Sequence, residues 1–157
     1  MATGTQSSLG FLITVQSELT FSVTRSLVVL YVALIVIVEG LVRLLGFHRT
    51  WRLLAWLRPS KKRLHCEHEI VRAHLAAIKR ARTRGPNVGK CLARSLVLWW
   101  QLGRYDISST LVIGVNTTID FRAHAWVEHR GRPLNAGKMV NELYASIARF
   151  DGPGAMK

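Results

Sequence analysis

With 157 residues the chain has room for one domain with a substantial core, and a hydrophobic fraction of 49% excludes a disordered chain. Its net charge of +13, from 22 Lys+Arg against 9 Asp+Glu, suits an acidic partner: nucleic acid, an anionic membrane face, or an acidic peptide or protein. Two cysteines in unlike contexts make no disulfide framework, and no A-x-A-like cleavage site follows the apolar stretch, so a reducing, cytoplasmic setting without a signal peptide is expected.

Residues 1–22 open polar and small and read as a flexible start. The most hydrophobic stretch follows, from Ser26 to Val38. Its 13 uncharged residues make about 20 Å of helix against roughly 30 Å of hydrocarbon, and extending it buries Glu39 or Arg25. A buried or interfacial helix, with a place at the membrane periphery open to it, is therefore expected ahead of the alternative, a true span that would put the basic residues from Arg43 to Arg63 in the cytoplasm; membrane association is not favoured. His48 to Leu57 reads as a short basic amphipathic helix carrying Trp51 and Trp56, stopped by Pro59. Ser60-Lys61-Lys62-Arg63 is a solvated connector. It separates an N-terminal helical part (23–60) from a core (61–150) and a tail (151–157). The next helix runs to about Arg82, with Val71, Leu75 and Ile78 on its apolar side and Lys79, Arg80 and Arg82 at the end the helix dipole favours for cations. Gly85-Pro86 ends it.

The stretch Cys91–Leu102, CLARSLVLWWQL, is apolar on nearly every side and predicts a helix through a core, with Gly103 as C-cap. Its polar residues Cys91, Arg94, Ser95 and Gln101 fall in one stripe. A cysteine at a helix N-terminus meets unpaired N–H groups and the positive end of the dipole, both of which favour thiolate. The alternative is an ordinary small buried residue. Thr110 to Val115 predicts a buried strand and Phe121 to Glu128 a second, with turns at Asn116–Thr118 and Arg130-Gly131. Pro133-Leu134-Asn135 begins a short third strand, and Asn141 to Phe150 reads as a final helix. Helices first and a small antiparallel sheet after them make the fold α+β.

On the second strand His124, Trp126 and Glu128 share one face, and Ala123, Ala125 and Val127 the other. Cys91 and His124 are far apart in sequence and meet only in a fold. A thiol beside an imidazole is the minimum for cysteine-nucleophile chemistry. The pairing of CLARSL with AHAWVEHRGRPLN, within a core from about Cys91 to Asn135, resembles the leader peptidases of lasso-peptide biosynthesis, members of the transglutaminase-like superfamily. The resemblance implies a papain-like core, a cysteine-bearing helix packed on a small antiparallel sheet, with Cys91 as nucleophile and His124 as general base and acid. The family usually shows an aspartate directly after P-L-N, where this chain has Ala136. Asn135 is the nearest side chain able to accept from the imidazole, as asparagine does in papain-like proteases, or it only shapes a turn. Asp120 shares the histidine's face but stands roughly 13 Å away along the strand.

The resemblance further implies a precursor peptide as substrate, a separate leader-recognition protein in place of a built-in recognition domain, and an asparagine-synthetase-like cyclase acting on the freed amine. No cofactor and no nucleic-acid partner are expected. The same nucleophile would serve an acyltransferase or amidase. A non-catalytic basic module at a membrane or on nucleic acid is the remaining alternative. Gly85 to Cys91, GPNVGKC, departs from a phosphate-binding loop in its glycine spacing and in lacking a hydroxyl after the lysine. His65, Cys66, His68 and His74 lack paired ligand spacing, and no metal is expected.

Overall fold

A computed structural model describes residues 6–58, 67–82, 91–116, 122–137 and 139–152, with side chains from residue 25 onward. The connector at 60–63, the turns at 85–90 and 117–118, and His65, Cys66 and Asp120 lie outside the described residues.

Helix α1 (Gln6–Leu45) begins inside the stretch read as a flexible start; no proline interrupts it. Its segment Arg25–Leu45 is long and apolar enough to cross a membrane by length and composition, with a mean hydropathy of 2.5. It exceeds the run counted from sequence because the helix carries Glu39 within it, ion-paired one turn on with Arg43 at 2.6 Å. Val28, Tyr31, Ile35 and Val38 recur at helical spacing and are buried. Gly46, at φ 79°, turns the chain: its N–H closes α1 on Val42 O at 3.0 Å, and its carbonyl accepts from the hydroxyl of Thr50 at 2.8 Å. Helix α2 (Phe47–Trp56) follows.

Helix α3 (Glu67–Arg82) carries Glu67 and Glu69 in its first turn and Lys79, Arg80 and Arg82 in its last, the arrangement the dipole favours. The face it buries is His74, Ala77, Ile78 and Ala81, one step round from the expected Val71–Leu75–Ile78 side. The small alanines let α1 and α4 approach closely, leaving Val71 and Leu75 half-buried at the rim. Helix α4 (Cys91–Gly103) runs through the core as its composition predicts, with Leu96, Val97, Leu98, Trp99 and Leu102 fully buried. Gly103 is its last residue rather than a left-handed cap. A Cβ there would lie 2.4 Å from Cζ of Arg58, whose guanidinium covers the Trp99 ring at 3.8 Å and donates to Trp99 O at 3.2 Å. Burial lowers the Arg58 pKa to about 10.

The chain then forms an antiparallel sheet in the order β3-β2-β1-β4, from β1 (Thr110–Asn116), β2 (Arg122–His129), β3 (Arg132–Pro133) and β4 (Ala145–Asp151). Arg130 and Gly131, both at positive φ, make the two-residue hairpin turn read from sequence. The final helix expected over 141–150 is instead a single turn, α5 (Val140–Leu143), followed by β4. Ala145, Ala148 and Arg149 suit a helix locally, but β1 needs a second neighbour for its backbone groups, and tertiary pairing prevails. A bulge opposite Ile113 and Gly114 absorbs one extra residue of β4. Phe150 then packs on Phe47 and Trp51, with ring centroids at 4.9 and 5.4 Å. The main core lies between the helices and one face of the sheet, while Val112, Trp126 and Val140 form a smaller cluster on the other face.

Candidate active site

The site is built on an incomplete strand edge. β3 pairs with β2 only at Glu128 and His129, so the backbone groups of Ala125 and Val127 that point away from β1 have no strand to meet. Other partners take them. Ser95 Oγ, buried on α4, donates to Ala125 O at 2.9 Å. Asn135 Oδ1 accepts from Val127 N–H at 2.8 Å, and Leu134 N–H donates to Val127 O at 2.9 Å. The N–H of Ala125 points to the sulfur of Cys91. Cys91 and Ser95 stand one helical turn apart, so a single face of α4 lies along this edge.

Cys91 is the first residue of α4 and half-buried. Its thiol pKa is lowered, chiefly by a hydrogen bond with His124. Burial opposes the shift, while the N–H groups of Ala125 and Leu92 and the charge of His124 reinforce it. The structure thus brings together the two residues that sequence reasoning paired.

His124 is held from behind. Its ring stacks on Trp126 at 6.1 Å with 20° between planes, and Tyr144 approaches at 5.4 Å. Trp126 is buried rather than walling an open cleft, and its Nε1–H donates to Glu128 Oε1 at 3.0 Å. Arg149 of β4 bonds the other oxygen of this buried carboxylate. Gly114 makes room for the indole: a Cβ there would lie 2.8 Å from the Trp126 ring.

Asn135, expected from the sequence to accept from the imidazole, instead reaches the site from the opposite side and turns its Oδ1 to Val127 N–H. Besides accepting from Val127, it donates through Nδ2 to Ser95 Oγ at 2.9 Å, so the amide joins the loop after β3 to both α4 and β2. Its neighbour Ala136 packs into the cluster of Val112, Trp126 and Val140, on the face of the sheet that carries His124. Ser95 was visible in the polar stripe of α4, but its role depends on the strand edge. Tyr144 had no signal because it fell within an expected helix. A groove of about 1130 Å³ runs between α3 and the β2–β3 turn, lined by the apolar Val71, Leu75 and Leu134 and by charges of both signs, among them Glu67, Glu69, Arg72 and Arg132.

A helix-borne thiol activated by an imidazole on an antiparallel sheet is the apparatus of cysteine peptidase and acyltransferase chemistry. Neither the curated proteins nor the solved structures show a match to the chain. The family model of the transglutaminase-like superfamily matches residues 32–149, which takes in α1 from its middle, the thiol helix and nearly all of the sheet; the chain belongs to that superfamily.

Proposed function

We propose that this protein is a cysteine peptidase that removes the leader from a lasso-peptide precursor, with Cys91 as nucleophile, His124 as base and acid, and Asn135 as a positioning residue. The carrying observation is the hydrogen bond between the Cys91 thiol and His124 at the start of α4. The thiolate attacks the carbonyl carbon of the last leader residue, forming an S–C bond. Cys91 stands at the first residue of α4, where the positive end of the helix dipole favours the developing oxyanion. The C–N bond breaks as His124 gives its proton to the leaving amine, which becomes the N-terminus of the core peptide. His124 then takes a proton from water, which attacks the thioester. The leader leaves as a carboxylic acid and the thiolate returns.

The groove beside Leu134 offers the precursor apolar side chains flanked by charges of both signs, next to the loop that carries Asn135. A separate recognition protein delivers the leader, and an asparagine-synthetase-like cyclase closes the ring on the freed amine. The test combines precursor, recognition protein and purified chain, with products read by mass spectrometry. Cleavage at the leader–core junction that disappears in Cys91→Ala supports the reading. Transfer of the acyl group to an added amine without hydrolysis overturns it in favour of an acyltransferase. Cleavage by Cys91→Ala at the wild-type rate overturns cysteine catalysis altogether.

A further inference from the structure

We infer that α1 and α2 seat this protein on the surface of an anionic lipid bilayer. The inference is independent of the peptidase reading. From Leu27 to Val38 helix α1 is apolar all round, yet only one side of that segment is covered. Val28, Tyr31, Ile35 and Val38 face α3 and α4, while at 100° per residue Val29, Leu30, Val36, Ile37 and Leu44 fall on the opposite side. That side stands in solvent: Val29 is 66% exposed, Val36 60% and Leu44 84%. Glu39, the one acid between Arg25 and Leu45, sits at the border of the strip and is paired with Arg43.

What covers the strip follows from its size and its border. From Val29 to Leu44 it runs about 22 Å and is roughly 10 Å wide, a few hundred Å² at most. A stable protein interface needs about 800 Å² from each partner. A bilayer has no such requirement, because insertion scales with apolar area and is supplemented by charge. The border supplies that charge. Arg43 in the last turn of α1 is balanced by Glu39, but the adjoining α2 exposes Arg49 and Arg52. Trp56, 79% exposed, and Leu57 close the helix, an indole beside basic residues as at a headgroup boundary. The chain's net charge of +13 has the sign that anionic lipid attracts. Helix α1 lies on the surface rather than crossing it. Crossing would strip Val28, Ile35 and Val38 from the core and break the buried 2.8 Å hydrogen bond between Tyr31 Oη and His74 Nδ1.

The experiment is flotation of the full chain with vesicles of phosphatidylcholine alone or containing phosphatidylglycerol. The expected result is binding to the anionic vesicles, about tenfold weaker binding to the neutral ones, and release at about 1 M salt. The double variant Val36→Ser/Ile37→Ser should lose about tenfold in binding to anionic vesicles, and Arg49→Glu/Arg52→Glu should abolish the preference for them. Both variants alter exposed residues, and unchanged labelling of Cys91 by iodoacetamide certifies their fold. Four results overturn the inference: no vesicle binding, equal binding by all variants, resistance to alkaline carbonate extraction, which marks a spanning helix, and a dimer in solution that the Val36→Ser/Ile37→Ser change dissociates. None of these readouts depends on leader cleavage, so their failure leaves the peptidase reading intact.

Discussion

Asn135 and Ser95 are joined by a 2.9 Å hydrogen bond between a loop amide and a helix hydroxyl that is itself bonded to Ala125 O. Through this pair the loop after β3, the helix that bears the thiol and the strand that bears the imidazole become one unit. Ser95→Ala removes the hydroxyl and leaves Ala125 O and Asn135 Nδ2 without it. The expected loss is about 1–3 kcal/mol of stability, read by urea denaturation. Asn135→Ala frees Val127 N–H as well and should cost at least as much. Both should lower cleavage by loosening β2, and Asn135→Asp, which keeps the acceptor for Val127, should recover part of the rate. An unchanged melting curve in Asn135→Ala would show that the clamp contributes nothing.

The lowered thiol pKa of Cys91 sets a pH dependence. A thiol whose folded pKa lies below its ordinary value binds fewer protons in the folded protein than in the unfolded chain across that interval. The resulting stabilisation is complete above the ordinary thiol value and is lost as pH falls through the lowered one. Alkylation by iodoacetamide reports the same titration. Its midpoint in the wild type should lie below that of a free thiol. His124→Ala removes the hydrogen bond that is the largest cause of the shift, so its midpoint should rise, and leader removal should nearly vanish. Coincident midpoints in the two proteins would remove His124 from the role of activating base.

How far the site was legible in the sequence depends on what each residue needs from its surroundings. Cys91 and His124 were readable because a helix start and an alternating strand announce themselves locally, and their motifs resemble a known pairing. The β2 edge was not. Whether Val127 N–H meets a strand or a side chain depends on β3 being only two residues long, which no local pattern in Arg132–Leu134 conveys. The final strand was lost for a related reason. Ala145 to Asp151 is indifferent alone, and only the unfilled side of β1 makes it extended. The outer face of α1 follows from burial, since an all-apolar helix does not say which side its neighbours cover.

A second pH dependence arises away from the thiol. His74 is buried between Tyr31 and Tyr105, and burial, with a smaller contribution from the charge of Arg104, lowers its pKa to about 4. The unfolded chain therefore takes up a proton near the ordinary histidine value while the folded protein does not. Stability rises with pH across this window and is lost as pH falls from about 6.5 towards 4, by about 3 kcal/mol in all. Denaturation midpoints between pH 4 and 7 check this. Tyr31→Phe, which takes the hydroxyl from His74 Nδ1, should cost about 1–3 kcal/mol at neutral pH. A flat stability profile between pH 4 and 7 would mean that the imidazole takes up its proton in place.

Ala136 directly follows Pro133-Leu134-Asn135, where the proposed function calls for an aspartate. It packs beside Trp126 on the His124 side of the sheet, whereas the amide of Asn135 is engaged on the helix side. A carboxylate at position 136 would thus arise on the same face as the imidazolium that forms when His124 takes a proton. Ala136→Asp should raise turnover by up to about tenfold, and the alkaline limb of the pH–rate profile should move upward as the carboxylate favours the charged ring. The cost is partial burial of a new charge among Val112, Trp126 and Val140, so stability at neutral pH should fall by about 1–3 kcal/mol. Below the carboxylate's own pKa both effects should fade together, since a neutral acid neither stabilises the imidazolium nor resists burial. Rate and pH profile measured on the folded variant decide the matter. If neither moves while the stability cost appears, the carboxylate is present but out of reach of the ring, and Cys91 and His124 work as a dyad that Trp126 and Tyr144 orient on that face.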